Sequence, residues 1–170
     1  MRPIDFRYDL LPLKDKLFRL ALRITLDTAE AEDVTQDALL RVWEKRDSLG
    51  HLDSLEAYVL TVGRHLALDR SRRSEAANLS IEESGTDAPD TALGPHERLE
   101  RDERMARVHD IFSRLPEQQR TVMQLRDIEG KTYREVADIM GITEDNVKVT
   151  LHRARQAVRQ QYLKIENYGL

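Results

Sequence analysis

The sequence predicts an all-α protein of two small helical domains joined by a flexible acidic linker, with a helix-turn-helix in the C-terminal domain. Apolar residues recur at three- and four-residue spacing from Leu10 to Arg73 and again after Pro95, which is the spacing of amphipathic helices. Between them Ala, Ser, Glu, Asp, Thr, Gly and Pro dominate, a composition that builds no core. The predicted boundaries are 1–73 for the N-terminal domain, 74–95 for the linker and 96–170 for the C-terminal domain.

The N-terminal domain is predicted to contain three helices. Asp27 or Thr28 is placed to cap the second helix, which extends to Trp43. A large aromatic residue is usually buried, so we expect Trp43 to belong to the core. The third helix follows the polar break 46–51 and is predicted to end in the basic run 70–73. The first helix carries a clear apolar stripe: Leu10, Leu13, Leu17, Leu20, Ala21 and Ile24.

The C-terminal domain carries start and stop signals for several helices. Pro116 suits the first turn of a helix, and Gly130 is placed to end that helix. Thr132 and Glu135 have the spacing of a capping box, in which each side chain bonds to the backbone of the other residue. The last helix has a predicted buried stripe: Val147, Leu151, Ala154, Val158 and Tyr162.

Two of these helices form a predicted helix-turn-helix over 132–163. Gly141 supplies the left-handed turn between them, and Thr143 caps the second helix. Such a helix fits the DNA major groove, which is about 12 Å wide. Its basic side chains, Lys148 and Arg153, could reach guanine or phosphate. The shorter polar side chains are Asn146, Thr150 and His152. The alternative is a helical hairpin whose basic face is only solvated.

Charge is distributed unevenly along the chain. The net charge is −4, which at first argues against nucleic acid. Segment 75–103, however, holds nine acidic residues and two arginines, whereas segment 146–164 holds five basic residues and no acidic one. This asymmetry favours a basic nucleic-acid-binding face separated from an acidic tether.

Composition also argues against several other classes of protein. The chain has no cysteine, which excludes disulfides and thiolate-metal sites. It shows no apolar run of about 18 residues, so we expect a soluble, cytoplasmic protein. No paired catalytic carboxylates, nucleophile–base grouping or phosphate-binding glycine loop is recognisable. We therefore expect no enzymatic activity, no cofactor and no small-molecule substrate.

Three runs in the C-terminal domain closely resemble one known family. They are LPEQQR at 115–120, YREVADIMGI at 133–142 and VKVTLHRAR at 147–155, and they resemble the C-terminal domain of extracytoplasmic-function (ECF) sigma factors. The run AEDVTQDALLRVW at 31–43 is similar to the helix that binds core RNA polymerase in that family. The run AYVLTVGRHLALDR at 57–70 is similar to its promoter-melting helix. The resemblance covers nearly the whole chain, in order.

The resemblance implies a role for residues in both domains. The minus-thirty-five element would be read by Asn146, Lys148, Val149, Thr150, His152 and Arg153, and Arg155 would contact phosphate. The loop 46–53 would hold a base extruded from the minus-ten element. The minus-ten residues would be Arg46, His51, Arg64, His65 and Arg72. Core polymerase would be bound by Asp33, Gln36, Asp37 and Arg41.

The resemblance also implies partners: core RNA polymerase, promoter DNA and an anti-sigma protein that holds the factor inactive. Two alternatives are a stand-alone helix-turn-helix regulator and a protein whose basic helix binds an acidic partner. A stand-alone regulator would bind duplex DNA tightly without polymerase, usually as a symmetric dimer. No dimerisation helix or ligand-pocket signature is recognisable in the sequence.

Overall fold

The computed structural model describes residues 2–78 and 95–167, which form helices and turns and contain no strand. The predicted all-α fold is confirmed. The helices are α1 Lys14–Thr25, α2 Thr28–Glu44, α3 Leu55–Asn78, α4 Pro95–Ser113, α5 Glu117–Met123, α6 Tyr133–Met140 and α7 Glu144–Asn167. Single turns of π-helix cover Phe6–Leu10 and Gln124–Ile128, and 3₁₀ turns cover Leu11–Leu13 and Arg46–Ser48.

Helices α1, α2 and α3 pack on one another around an apolar core. Asp27 caps α2, because its side chain accepts a hydrogen bond from the Glu30 amide at 3.0 Å. Helix α1 ends at Thr25, and the residue that follows, Leu26, has a φ of 58° in the left-handed region. Trp43 packs edge-on against Phe6 at 5.7 Å, beside the core as expected. Leu10, Leu17, Leu20, Ala21 and Ile24 are buried as predicted.

Helix α3 begins at Leu55 as predicted but differs from its predicted form at the C-terminal end. It begins after Ser54, whose hydroxyl accepts from the Ala57 amide at 3.1 Å. It continues to Asn78, so the predicted end at 70–73 was too early. The basic side chains there are compatible with further helical turns because long side chains lose little freedom in a helix. The rest of the predicted linker, 79–94, lies outside the described residues.

The C-terminal helices form a second packed unit, in which α7 contacts both α5 and α6. Pro116 precedes α5 with an extended ψ of 152°, rather than occupying its first turn as predicted. Val147, Leu151 and Ala154 of α7 are buried. Tyr162 is 55% exposed, so its predicted burial was wrong. Between Arg159 and Lys164 only Gln161 is partly covered, and the other side chains of α7 are exposed.

The helix-turn-helix forms as the local signals predicted. Thr132 Oγ1 accepts from the Glu135 amide at 3.1 Å, and the Glu135 carboxylate accepts from the Thr132 amide. Gly141 ends α6 with φ of 68°, and its amide bonds back to the Ala137 carbonyl at 2.8 Å. These contacts orient α7 relative to α6.

The two sets of helices touch each other. Helix α1 contacts α5 and the π-turn after it, and α3 contacts α6. Buried apolar side chains from both sets belong to one continuous cluster. Nothing in the helical periodicity predicted this contact, and it decides the accessibility of several candidate functional residues.

Candidate nucleic-acid interface

Helix α7 turns its apolar face to the core and its polar face outward. Thr143 caps it, since the Thr143 hydroxyl accepts from the Asn146 amide at 3.1 Å. Glu144 and Asp145 occupy its first turn, where the helix dipole favours negative charge. On its outer face lie four of the residues predicted to read DNA: Lys148, Val149, His152 and Arg153.

Thr150 is the exception among the predicted reading residues. Only 7% of it is exposed, and its hydroxyl donates to Asn146 Oδ1 at 3.1 Å. The structure therefore contradicts a direct contact between Thr150 and a base, because position 150 falls on the side of α7 that packs inward. Its hydroxyl instead orients the amide of Asn146, which is itself exposed.

Arg155 is held by a carboxylate from a different element. Its Nη2 lies 2.5 Å from Asp127 Oδ1, and its Nε donates to Asp127 Oδ2 at 3.1 Å. The hydrogen bonds from Arg155 to Asp127 raise the pKa of the guanidinium. Asp127 was not a predicted site residue. It lies 28 positions from Arg155, and no pattern in the sequence pairs the two.

Tyr133, at the start of α6, lies close to two cations. The guanidinium carbon of Arg126 is 4.5 Å from its ring centroid, and Lys148 Nζ is 5.5 Å from it. A cation over an aromatic face is attracted by the ring quadrupole. The ring therefore restrains Lys148 at the base of the exposed face of α7.

The loop after α2 borders a cavity of about 290 Å³. Arg46 lines it and also donates to the Trp43 carbonyl at 2.9 Å. The Arg46 guanidinium lies 3.9 Å from the Trp43 ring centroid, so its position is restrained from two sides. His51 is exposed on the same loop. The full lining is Arg2, Pro3, Ile4, Arg46, Asp47, Leu49, Gly50, Leu52 and Leu55.

A second, larger groove of about 500 Å³ lies between α2 and α3. It brings together His65 and Arg72, both predicted to contact the minus-ten element, and Arg41, predicted to contact polymerase. Lys45 contributes a further cation to the lining, and Asp69 contributes a carboxylate. This grouping gives the groove a predominantly basic lining, which favours an anionic occupant.

Arg64 does not lie on open surface. It is 9% exposed, and its Nη2 forms an ion pair with Glu117 Oε1 of α5 at 3.1 Å. Its Nε donates to the same carboxylate at 3.2 Å. The expectation that Arg64 is free to bind DNA is therefore wrong for this arrangement of the chain, because α3 packs against the C-terminal helices at this point.

The predicted polymerase-binding face of α2 is acidic and accessible. Gln36 and Arg41 are exposed. Arg70 of α3 bridges the acids of α2, with Nη1 at 3.2 Å from Asp33 and Nη2 at 3.9 Å from Asp37. Partial burial lowers the pKa of Arg70, but the hydrogen bonds to Glu30 and Asp33 raise it, and the net shift is upward. The sequence placed Arg70 in a basic cluster but did not pair it with these acids.

Neither a membrane-spanning helix nor a metal-binding cluster occurs in residues 2–78 and 95–167. No helix within them is long and apolar enough to cross a membrane. In the same ranges, no cluster of three or more histidine, aspartate or glutamate side chains is arranged to hold a metal ion.

Comparisons with known families match both halves of the chain. Residues 12–77 match the family described as sigma-70 region 2, and residues 97–158 match sigma-70, region 4. The ECF RNA polymerase sigma factor SigL of Mycobacterium tuberculosis is 34% identical over 146 residues, which cover 84% of this chain and 80% of SigL. The RNA polymerase sigma-H factor of Pseudomonas aeruginosa is 32% identical over 162 residues, covering 89% of this chain and 83% of that factor.

A solved structure shares the arrangement of the helices. It is the sigma factor RpoE in complex with the anti-sigma factor NepR from Bartonella quintana. The TM-score is 0.70 at 25% identity, and the match covers 95% of this chain and 98% of RpoE.

Proposed function

Because this chain belongs to the family of ECF RNA polymerase sigma factors, we propose that its exposed α7 face reads the minus-thirty-five element and that α3 with the loop before it opens the minus-ten element. The chain is an alternative sigma factor that binds core RNA polymerase and directs promoter-specific initiation. Sigma factors act by binding and positioning rather than by catalysis. We propose that this one acts in the cytoplasm.

One observation carries the assignment of α7. The helix is the second of a helix-turn-helix, and its exposed early turns hold Lys148, His152 and Arg153 without an acidic residue between 146 and 164. Lysine and arginine can donate to guanine or to phosphate in the major groove. Val149, 46% exposed, is an apolar side chain suited to contact a thymine methyl group.

The minus-ten assignment rests on the cavity beside Arg46. Holding an extruded base offsets the few kcal/mol that unstacking costs. Arg46 is already restrained by Trp43, so little further ordering is needed when a base enters. The basic groove with His65 and Arg72 then provides a path for the adjacent strand.

For polymerase, we propose the exposed face of α2. Asp33, Gln36 and Asp37 lie on successive turns of that helix, and Arg70 restrains the two carboxylates. Arg41 adds a cation at the same face, 3.9 Å from Asp37. An anti-sigma protein is a further proposed partner, since RpoE, which shares this fold, was solved with NepR.

Run-off transcription tests the assignment. Core polymerase is combined with the full chain on a library of genomic fragments, and the start sites are mapped. We expect discrete start sites that require the chain and disappear with Lys148→Ala plus Arg153→Ala. The matched control is Arg159→Ala plus Lys164→Ala, which removes the same charge from exposed later turns of α7 and should retain those start sites.

The rival reading makes the opposite prediction. Tight, specific binding of the free chain to duplex DNA, with no new transcripts in the presence of polymerase, would establish a stand-alone regulator instead.

A further inference from the structure

A segment ahead of α1, residues 2–9, lines the cavity that the loop after α2 borders. Positions between 46 and 55 supply one part of the lining of this cavity of about 290 Å³, and Arg2, Pro3 and Ile4 supply the rest. The sequence pointed only to the loop 46–53 as the place for an extruded base. The structure therefore adds three residues to that candidate pocket.

Asp9 fixes the shape of this segment. Its carboxylate accepts from Arg2 Nη2 at 2.6 Å and from Arg2 Nη1 at 3.2 Å, and it also accepts from the Asp5 amide at 2.7 Å. The hydrogen bond from the Asp5 amide, together with those from Arg2, lowers the pKa of Asp9, so the carboxylate is charged at neutral pH. The Arg2 side chain is nevertheless 70% exposed, which leaves it accessible to a ligand.

The segment packs on the same indole ring that restrains Arg46. Phe6 lies edge-on against the Trp43 ring at 5.7 Å, and the Arg46 guanidinium lies 3.9 Å from the centroid of that ring. Leu10, the residue that follows the segment, is fully buried. The two arginines that line the cavity, Arg2 and Arg46, are therefore both held in place through contacts to one aromatic side chain.

The polar lining of the cavity combines guanidinium donors with a carboxylate. A guanidinium has five N–H groups and no acceptor. Asp9 occupies the two terminal nitrogens of Arg2, so the edge formed by Nε–H and the adjacent Nη–H remains for a second partner. Asp47 contributes a carboxylate to the lining, which accepts hydrogen bonds.

These groups favour two of the four bases. The free edge of a guanidinium matches a base that presents two adjacent acceptors. Guanine presents O6 and N7, and cytosine presents N3 and O2, whereas adenine and thymine have no two acceptors side by side. Guanine and cytosine also carry an amino group from which Asp47 can accept. The polar lining therefore fits guanine or cytosine better than adenine or thymine.

The apolar part of the lining suits the faces of a base. Ile4, Leu52 and Leu55 line the cavity, and all three are partly buried against the apolar core. Proteins that hold an extruded base place apolar or aromatic side chains on its faces and polar groups at its edge. The cavity has both kinds of group.

We propose that residues 2–9 form the second wall of the minus-ten base pocket and that Arg2 is a specificity-determining residue, which selects guanine or cytosine over adenine or thymine at the extruded position. Asp9 is a positioning residue, since it holds the Arg2 guanidinium by its terminal nitrogens. The proposal rests on the proposed function, because it takes the cavity beside Arg46 as the site of the extruded base.

Base preference at each minus-ten position tests the role of Arg2. One promoter found by run-off transcription is rebuilt with every base at every minus-ten position, and transcription is measured with polymerase and each variant of the full chain. Wild type should prefer guanine or cytosine at one position by about tenfold, which is typical of one two-point arginine contact. Arg2→Ala should reduce this preference to about twofold at that position alone. Whether guanine or cytosine is preferred identifies which pair of acceptors Arg2 contacts.

Three further comparisons separate a base contact from charge alone. Arg2→Lys keeps the charge but loses the paired donors, so it should lose the base preference as Arg2→Ala does. Asp9→Asn weakens the hold on the guanidinium and should reduce the preference at the same position, with the helical content unchanged by circular dichroism. An abasic nucleotide at that position should remove the difference between wild type and Arg2→Ala, because no base remains to be contacted.

The matched control is Arg7→Ala. Arg7 is an exposed arginine of the same segment that is not part of the cavity lining, so this variant should keep the wild-type preference. An unchanged preference in Arg2→Ala, an equal loss in Arg7→Ala, or a wild-type preference for adenine or thymine at the position that depends on Arg2 would overturn the proposal. Absence of start sites with the wild-type chain would instead refute the proposed function, whereas start sites whose base preferences do not depend on Arg2 would refute only the role of the segment.

Discussion

Arg155 and Asp127 form a two-point ion pair, with Nη2–Oδ1 and Nε–Oδ2 distances of 2.5 and 3.1 Å. The pair joins α7 to the π-turn after α5. The pair therefore orients Arg155 on the outer face of the helix-turn-helix and partly neutralises its charge. Arg155 is half-exposed, so it can still approach a phosphate from this position.

Asp127→Asn is expected to strengthen promoter binding by the complex with polymerase by about two- to fivefold. The substitution frees the Arg155 guanidinium to bind a phosphate, and the exposed ion pair that it removes is worth at most about 1 kcal/mol. The dependence of affinity on salt should steepen by about one unit of slope. Binding titrations across a range of salt concentrations measure both. Asp110→Asn, on α4, removes the same charge elsewhere and should change neither; an unchanged slope in Asp127→Asn would count against a phosphate contact.

Tyr133→Leu is expected to weaken promoter binding by about two- to fivefold, since a cation over an aromatic ring contributes about 0.5–1 kcal/mol at an exposed site and Lys148 would lose that restraint. Tyr133→Phe keeps the ring and should bind like the wild type. Circular dichroism should show the same helical content in both variants. Equal affinities for the two variants would mean that the ring does not position Lys148.

Gly63→Ala is expected to destabilise the N-terminal helices by about 1–3 kcal/mol, the usual cost of overpacking a core. An added Cβ would collide with Leu17 Cδ1, the end of a side chain that is fully buried in the apolar core. Urea unfolding measures the change. Combining Gly63→Ala with Leu17→Ala should cost less than the sum of the two single changes, whereas additive costs would contradict the close approach of α3 and α1.

Stability should fall in acid partly through Glu129. Its hydrogen bond from Arg19 lowers the pKa of this carboxyl in the folded chain. The stabilisation is therefore fully present above the unfolded pKa of about 4.3 and is lost as the pH falls through the lower folded value. Melting temperatures of wild type and Glu129→Gln should differ at neutral pH and converge below about pH 4. A difference in melting temperature between the two proteins that stays constant as the pH falls would contradict a contribution of Glu129 to acid sensitivity.

The candidate sites were predictable to different degrees. Lys148 and Arg153 could be placed on the exposed face of α7 because helical periodicity and local capping determine which side of a helix packs. Thr150 was assigned to the wrong side, since a threonine within a polar run gives little indication of burial. The partners Asp127 and Tyr133 escaped prediction, because each meets its cation through packing between helices rather than along one helix.

The sequence by itself determined the family, most of the helices and the caps at Thr132, Gly141 and Thr143. Those signals are local: the Thr132–Glu135 box and the left-handed Gly141 involve residues within four positions of one another. Only the tertiary structure decided that Arg64 meets Glu117, 53 positions away, and that Arg19 meets Glu129, 110 positions away. An exposed arginine could form an ion pair with any of many acidic residues in the chain. Which acidic residue it meets depends on which helix surfaces pack together in the tertiary structure.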